Sequence, residues 1–387
     1  MPARQFTADG GVPKPIRDGV NRLGEALEVP IEFPAAVLAE AEAAATSPKL
    51  PALDRTDIEF VTIDPEGSMD LDQALHIERQ GSGYVVHYAI ADVAAWVTPG
   101  GAIDAEARKR GQTLYAPDWR AALHPPRLSE AAASLLADRT ARPAQLWTIT
   151  LDADGLQTDA RVERAMVRSR AKLTYTSVQA DLDAGRASES LNLLKIVGEL
   201  RLKAEEDRGG VSLEIPEQEI EAKAGQWTLT FRRPLPVEGW NAQISLLTGG
   251  AAAQVMMEAK VGLLRTLPPA EQFAVDRLRR TAKALHIRWP GSVSYPEFVR
   301  SLDTSQLTHL AMMNACTLLF RGPVTWPSTV RNLRATYSTA PSPCRTPMSP
   351  HPCDASSIGS RARSASPCVR VLRCRSGYGR RCRRCLR

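Results

Sequence analysis

Between residues 59 and 93 three runs of strand character follow one another, EFVTI, LDQALHIER and YVVHYAIADV, with Gly81-Ser82-Gly83 between the last two. Short runs rich in β-branched and aromatic residues suit strands, and glycines at the joint suit a tight hairpin. An antiparallel meander is therefore expected. A second hairpin is expected over residues 146–151 and 160–168, because Asp154-Gly155 lies between two alternating runs. From about residue 174 the apolar spacing becomes helical, over 191–204, 243–264, 271–285 and 307–320, with a short strand at 227–231. Strands followed by helices predict a mixed α/β domain of the α+β class, an antiparallel-rich sheet covered by helices.

The first fifty residues contain one expected helix, 35–46, ended by Ser47-Pro48. They form a short N-terminal helical extension, too small for a separate nucleic-acid-binding barrel. With 43% hydrophobic and 24% charged residues the chain excludes wholesale disorder and a fibrous protein. No run reaches the roughly 18 apolar residues of a membrane helix. The best two, 85–97 and 244–257, are broken by His87 and Asp92 in the first and by Gln254 in the second. The N-terminus lacks the apolar core of a secretory signal, so a cytoplasmic location without a membrane partner is expected.

The net charge of +6 conceals two halves of opposite sign. Residues 331–387 hold thirteen arginines, no lysine and one acid, Asp354, which leaves 36 basic and 42 acidic residues in the rest of the chain. Six of the seven cysteines also follow Cys316, which itself sits on an apolar helical pattern and reads as core. Residues 322–387 thus form an Arg/Ser/Pro/Cys-rich tail. A disordered basic tail that binds nucleic acid, a zinc site around Cys382 and Cys385, and translation out of frame all remain open readings of it.

The chemistry concentrates in VTIDPEGSMDLDQAL, residues 61–75. Asp70 and Asp72 are two apart at the start of an expected strand, which points both side chains to one face. Asp64 ends the preceding strand and returns through the loop between them. Three carboxylates repel one another unless a cation is present, and hard oxygen ligands suit Mg²⁺ or Mn²⁺. Such an ion suits a phosphoryl reaction, in which it orients water and stabilises charge on the attacking and leaving oxygens. Acids also cluster in surface loops and cap turns, so spacing alone leaves both readings open.

Together with VVHYAIADVAAWVTPGGAIDAEARKRGQTLYAPD (85–118) and LHPPRLSEAAASLL (123–136), that string resembles the catalytic domain of the ribonuclease II / ribonuclease R family. The likeness extends more weakly to about residue 321, which makes residues 51–321 an RNB-type catalytic domain. The resemblance implies a Mg²⁺-dependent, processive 3′ to 5′ exoribonuclease that threads single-stranded RNA and releases nucleoside 5′-monophosphates. It assigns Asp64, Asp70 and Asp72 to metal binding and catalysis, Gln73 to the metal site and Asp92 to a supporting position, for which a structural turn role is the alternative. Tyr115 would stack on a nucleotide near the 3′ end, with plain packing as its alternative. Arg108, Lys109 and Arg110 read as a solvated helix face rather than phosphate ligands, and His76 and His87 as structural.

Two departures from the family pattern bear on activity. Gln73 stands where the commonest pattern has an aspartate, so its amide brings an oxygen but no charge. The family's late H-x-T-[AS]-P-[LM]-R-R string is replaced by ATYSTAPSPCRTPMSPHPC, in which Arg345 is outside any such motif. The chain therefore reads as a family member truncated or frameshifted after about residue 321. A catalytically impaired RNA-binding remnant is the alternative function, and no protein partner can be inferred.

Overall fold

A computed structural model describes residues 4–7, 14–116, 119–213, 215–223, 226–266, 270–320 and 324–327. Its centre is a seven-stranded sheet of β1 (Leu53–Asp54), β2 (Phe60–Asp64), β3 (Gln73–Gln80), β4 (Gly83–Ala91), β5 (Arg142–Leu151), β6 (Gln157–Val167) and β7 (Ser169–Thr174), in the spatial order β7-β2-β3-β4-β5-β6-β1. The ladders from β2 to β6 are antiparallel, and the two outermost pairs, β7 with β2 and β6 with β1, are parallel. This is the expected antiparallel-rich sheet. Gly81 takes φ +60 in the hairpin joining β3 to β4, and Gly155 φ +73 in the one joining β5 to β6, conformations that cost glycine little.

Every residue of β4 is buried, because both faces of the sheet are covered. Tyr84, Val86, Tyr88 and Ile90 alternate onto one face, where they meet Leu191, Leu194 and Val197 of helix Glu189–Asp207 and Val237, Ile244 and Leu247 of helix Pro236–Ala259. Burying each such large apolar side chain stabilises the fold by about 1.5–3 kcal/mol. The two helices pack so closely that a Cβ on Gly198 would lie 2.4 Å from the Cβ of Trp240. The opposite face is built on smaller residues, Ala74, Ala89, Ala91, Ala144 and Ala165. That leaves room for Leu135 and the segment that grips the acidic loop.

Two further clusters flank the sheet. Val37 and Ala41 of helix Ala35–Thr46 pack with Trp96, Ile103 and Leu128, beside the segment that follows β4. A second cluster joins helices Gln272–Ala284, Tyr295–Arg300 and Leu307–Cys316, with Trp289 stacked on Phe298 at 3.9 Å and Cys316 buried as core.

Several boundaries differ from the sequence expectation. The N-terminal extension also holds helix Lys14–Ala26 and a strand, Arg4–Thr7, that pairs with Glu217–Lys223. The helix expected over 243–264 ends at Ala259, where Lys260 turns left-handed, and Leu263–Thr266 becomes a strand. Its partner is Val324–Pro327, so the folded body extends past residue 321. Val, Thr and Trp are strand formers, and an edge with open backbone groups recruits them. The remainder of the expected tail, residues 328–387, lies outside the described residues. Arg110, expected on a solvated face, is instead buried: it pairs with Glu106 at 2.9 Å, lies over the Phe33 ring at 3.7 Å and donates to Ala122 O.

Candidate active site

β2 delivers Asp64 at its last position, where it is the register partner of Thr174 on β7. The chain then turns at Gly67, φ +82, and carries Asp70 and Asp72 before Gln73 opens β3 opposite Ile90. Asp70 and Asp72 therefore precede the strand that was expected to hold them. A clamp from another segment takes the place of a ladder there. The buried Ser134 hydroxyl accepts from Leu71 N at 2.9 Å and donates to Met69 O at 2.7 Å, while Leu135 N donates to Leu71 O at 2.8 Å. Ala91 N donates to Asp72 O at 2.9 Å, and Lys172 Nζ donates to Ser68 O. The backbone on both sides of Asp70 is thus fixed by groups distant in sequence.

The clamp brings Asp70 and Asp72 to one cavity, lined also by Trp96, Arg120, His124 and Leu128. Asp64 is not among its lining residues but is electrostatically tied to it. Burial, and then the charge of Asp70, push the Asp64 carboxyl up to about 6, against the opposing pull of the Lys172 ammonium. On the same side, burial and the Asp64 charge push the Tyr175 hydroxyl up to about 12, and Asn241 Nδ2 donates to that hydroxyl at 3.2 Å.

Arg120 is the cation of the cavity that sequence reasoning missed. Its Nη1 lies 3.9 Å from Asp70 Oδ2, and its Nη2 donates to Glu130. It sits on a two-strand hairpin, Leu114–Tyr115 with Arg120–Ala121, in which Tyr115 and Arg120 are directly opposed. Tyr115 itself is 63% exposed. His124 is buried with no hydrogen-bond partner for either ring nitrogen among the described residues, and burial lowers its pKa to about 4. Arg120 falls in the gap between two recognised strings, while His124 and Ser134 lie inside the second of them and, like Lys172, act through contacts that spacing does not encode.

Asp92 is fully buried. Its Oδ1 accepts from Ala94 N at 3.2 Å, capping the turn Val93–Trp96, and its Oδ2 accepts from Arg164 Nε at 2.5 Å. Those contacts hold a wall of the cavity, to which Val93 and Trp96 contribute.

Oxygen donors from Asp64, Asp70, Asp72 and Gln73 match the preference of a hard divalent cation. Burial, and then the charge of Asp70, penalise the Asp64 carboxylate, and a bound cation would offset both, so the residues present fit the group. Among the described residues no three His, Cys, Asp or Glu side chains form a closed ligand cluster.

Residues 53–319 match the RNB domain. The chain belongs to the RNB domain family. Within this RNB chain, a segment of 209 residues is 33% identical to Ribonuclease R of Escherichia coli K12, covering 49% of this chain and 25% of that protein. Exoribonuclease 2 of Vibrio vulnificus YJ016 is 36% identical over 138 residues, 35% of this chain and 21% of that protein. The alignments thus span about a quarter of the length of these curated relatives. The structure of Mycoplasma genitalium RNase R in complex with ribose-methylated single-stranded RNA superposes with a TM-score of 0.69 at 21% identity, covering 79% of this chain and 51% of that one. At that identity the likeness establishes the RNB fold.

Proposed function

We propose that this chain is the catalytic domain of a metal-dependent 3′ to 5′ exoribonuclease that hydrolyses single-stranded RNA to nucleoside 5′-monophosphates, with Mg²⁺ as its ion and Mn²⁺ as a substitute. The observation that carries this reading is the meeting of Asp70 and Asp72 in one cavity, with Asp64 coupled to Asp70, inside a chain that matches the RNB domain. The similarity to Ribonuclease R and Exoribonuclease 2 supports it, as does the RNA bound to the Mycoplasma protein of the same fold.

In this reading Asp64, Asp70 and Asp72 hold the ion, with the Gln73 carbonyl as a neutral fourth donor. When bound, the ion supplies an activated water and stabilises charge on the scissile phosphate. The chain's own residues do the rest. Asp64 keeps a proton at its carboxyl up to about pH 6 and must release it before it can ligate. Ser134 fixes the backbone that aims Asp70 and Asp72. Tyr115 offers an exposed ring for a base to stack on, worth about 1–3 kcal/mol and indifferent to sequence. Trp96 and Leu128 give the cavity apolar walls, which strengthen charge interactions inside it.

A second reading, an RNA-binding remnant without turnover, is favoured by the neutral Gln73 and by carboxylates that do not form a closed cluster. Product analysis separates the two. Uniformly labelled single-stranded RNA incubated with the protein and Mg²⁺ should yield nucleoside 5′-monophosphates on thin-layer chromatography. Intact RNA that is nonetheless retained on the protein would favour the remnant.

A further inference from the structure

We infer that Trp96 and His124 form a subsite for a sugar hydroxyl, the 2′-hydroxyl of a nucleotide held at the carboxylates, and so set the preference of this site for RNA over DNA. The inference deepens the exoribonuclease reading and rests on it. Both side chains line the cavity shared by Asp70 and Asp72. Trp96 is 7% exposed and His124 8%, and among the described residues neither the indole Nε1 nor either imidazole nitrogen has a hydrogen-bond partner. Buried polar groups are nearly always satisfied, so orphaned nitrogens on two walls of one cavity call for an occupant.

The hydroxyl side chains of the cavity are engaged elsewhere. Thr113 Oγ1 accepts from Leu123 N at 3.1 Å, and Ser129 Oγ donates to Pro125 O at 3.5 Å. Those contacts fall on either side of His124 in the chain and hold the segment that carries it. Trp96 closes the turn Val93–Trp96, which Asp92 caps. The two rings thus stand on separately anchored segments.

The chemistry of the nitrogens selects the occupant. An indole N–H can only donate. Burial penalises the imidazolium form of His124, so the ring carries one donor and one bare acceptor. Neither ring offers a phosphate a positive charge. A hydroxyl fits both, since its oxygen accepts from the indole while its hydrogen is donated to the bare imidazole nitrogen. The ribose 2′-hydroxyl is such a group, and it is what distinguishes RNA from DNA at a given site. The cavity, about 60 Å³, exceeds the roughly 10–15 Å³ that one water needs, and Val93, Val97 and Leu128 give it apolar walls for the sugar carbons. Asp70 and Asp72 in the same cavity place that sugar beside the reacting phosphate.

The test is binding without turnover. Affinities of the full chain for 5′-fluorescein oligoadenylate, and for the same strand with a single 2′-deoxy nucleotide at successive positions from the 3′ end, are measured by anisotropy in chelator. Wild type, His124→Leu and Trp96→Phe are compared. A site built around a hydroxyl rejects the analogue lacking it, because its own polar groups are then left unpaired. One deoxy position should therefore weaken wild-type binding about tenfold. In both variants the same substitution should change affinity less than about twofold, through weaker binding of the all-ribose strand.

Circular dichroism identifies a variant that fails to fold. If Trp96→Phe does, His124→Leu decides, since it keeps an apolar side chain in the wall and sheds both unpartnered nitrogens. Wild type indifferent to every deoxy position, as a cavity filled by water alone would give, overturns the subsite. Discrimination that survives in His124→Leu also overturns it, and either result leaves the exoribonuclease reading intact. A wild-type chain that binds no RNA would defeat both.

Discussion

Arg164 Nε lies 2.5 Å from Asp92 Oδ2, and Asp92 has no exposed surface at all. The pair joins β6 to the start of the turn Val93–Trp96, whose Ala94 amide donates to the other carboxylate oxygen. Removing the carboxylate would leave Ala94 N without its cap and take from Arg164 its ion-pair partner, while the Arg164 Nη2 bond to Lys49 O at 3.2 Å remains. Because Arg164 is 37% exposed, part of its charge would be recovered by water. Asp92→Ala should therefore cost about 2 kcal/mol of stability in urea unfolding. RNA affinity per folded molecule should stay near wild type. A loss of affinity in a variant of unchanged stability would instead make Asp92 part of the site.

His124 gives the site a sensitivity to acid. Burial lowers its folded pKa from 6.5 to about 4, so the folded chain binds fewer protons there than the unfolded chain. The stability is whole above about pH 6.5 and is lost as pH falls towards 4. His124→Leu removes both the titration and two ring nitrogens without partners. Relative to wild type it should gain about 2 kcal/mol more at pH 5 than at pH 8. Equal gains at both values would show that His124 is not held neutral by burial.

Ser134 fixes the loop on both sides of Asp70 with a single hydroxyl. Ser134→Ala leaves Leu71 N and Met69 O without that partner, at a cost of about 2 kcal/mol. Its larger effect should be on geometry. Well below the melting temperature, kcat should fall tenfold or more while KM for RNA changes little, because misplacing reacting groups by about 1 Å can cost two orders of magnitude. A fall confined to KM would contradict a positioning role.

Gln73 sets the charge of the carboxylate group. Gln73→Asp should tighten Mg²⁺ binding about tenfold in isothermal titration, since each added carboxylate increases attraction for the ion. The same variant should melt lower than wild type in chelator, where the extra charge only adds repulsion around Asp64 and Asp70. Unchanged affinity in a folded variant would place Gln73 outside the metal site.

The meander was legible because its signals are local: alternation along β2 to β4, and glycines at the turns. Helix Ala35–Thr46 was legible for the same reason, being almost all alanine and other good helix formers. Helix Lys14–Ala26 was not, since Pro15, Gly19 and Gly24 disguise an otherwise amphipathic pattern. The parallel pairing of β7 with β2 joins segments far apart in the chain, and no local rule specifies it. The site divides in the same way. Spacing singled out Asp64, Asp70 and Asp72, but it could not show that the last two sit in a clamped loop. Arg120 and Ser134 reach that loop only through the tertiary fold, so no pattern around either residue announces the contact.

The central claim is that this chain shortens RNA from its 3′ end by using Asp72 and a divalent ion. The most direct measurement is incubation of the purified chain with 5′-labelled single-stranded RNA, in Mg²⁺, in chelator and with Asp72→Asn, with products resolved on a denaturing gel. The account predicts a ladder descending from the 3′ end in Mg²⁺ alone, absent with chelator and with the variant. Full-length RNA in every lane, from a protein shown to be folded and to bind the RNA, would contradict it.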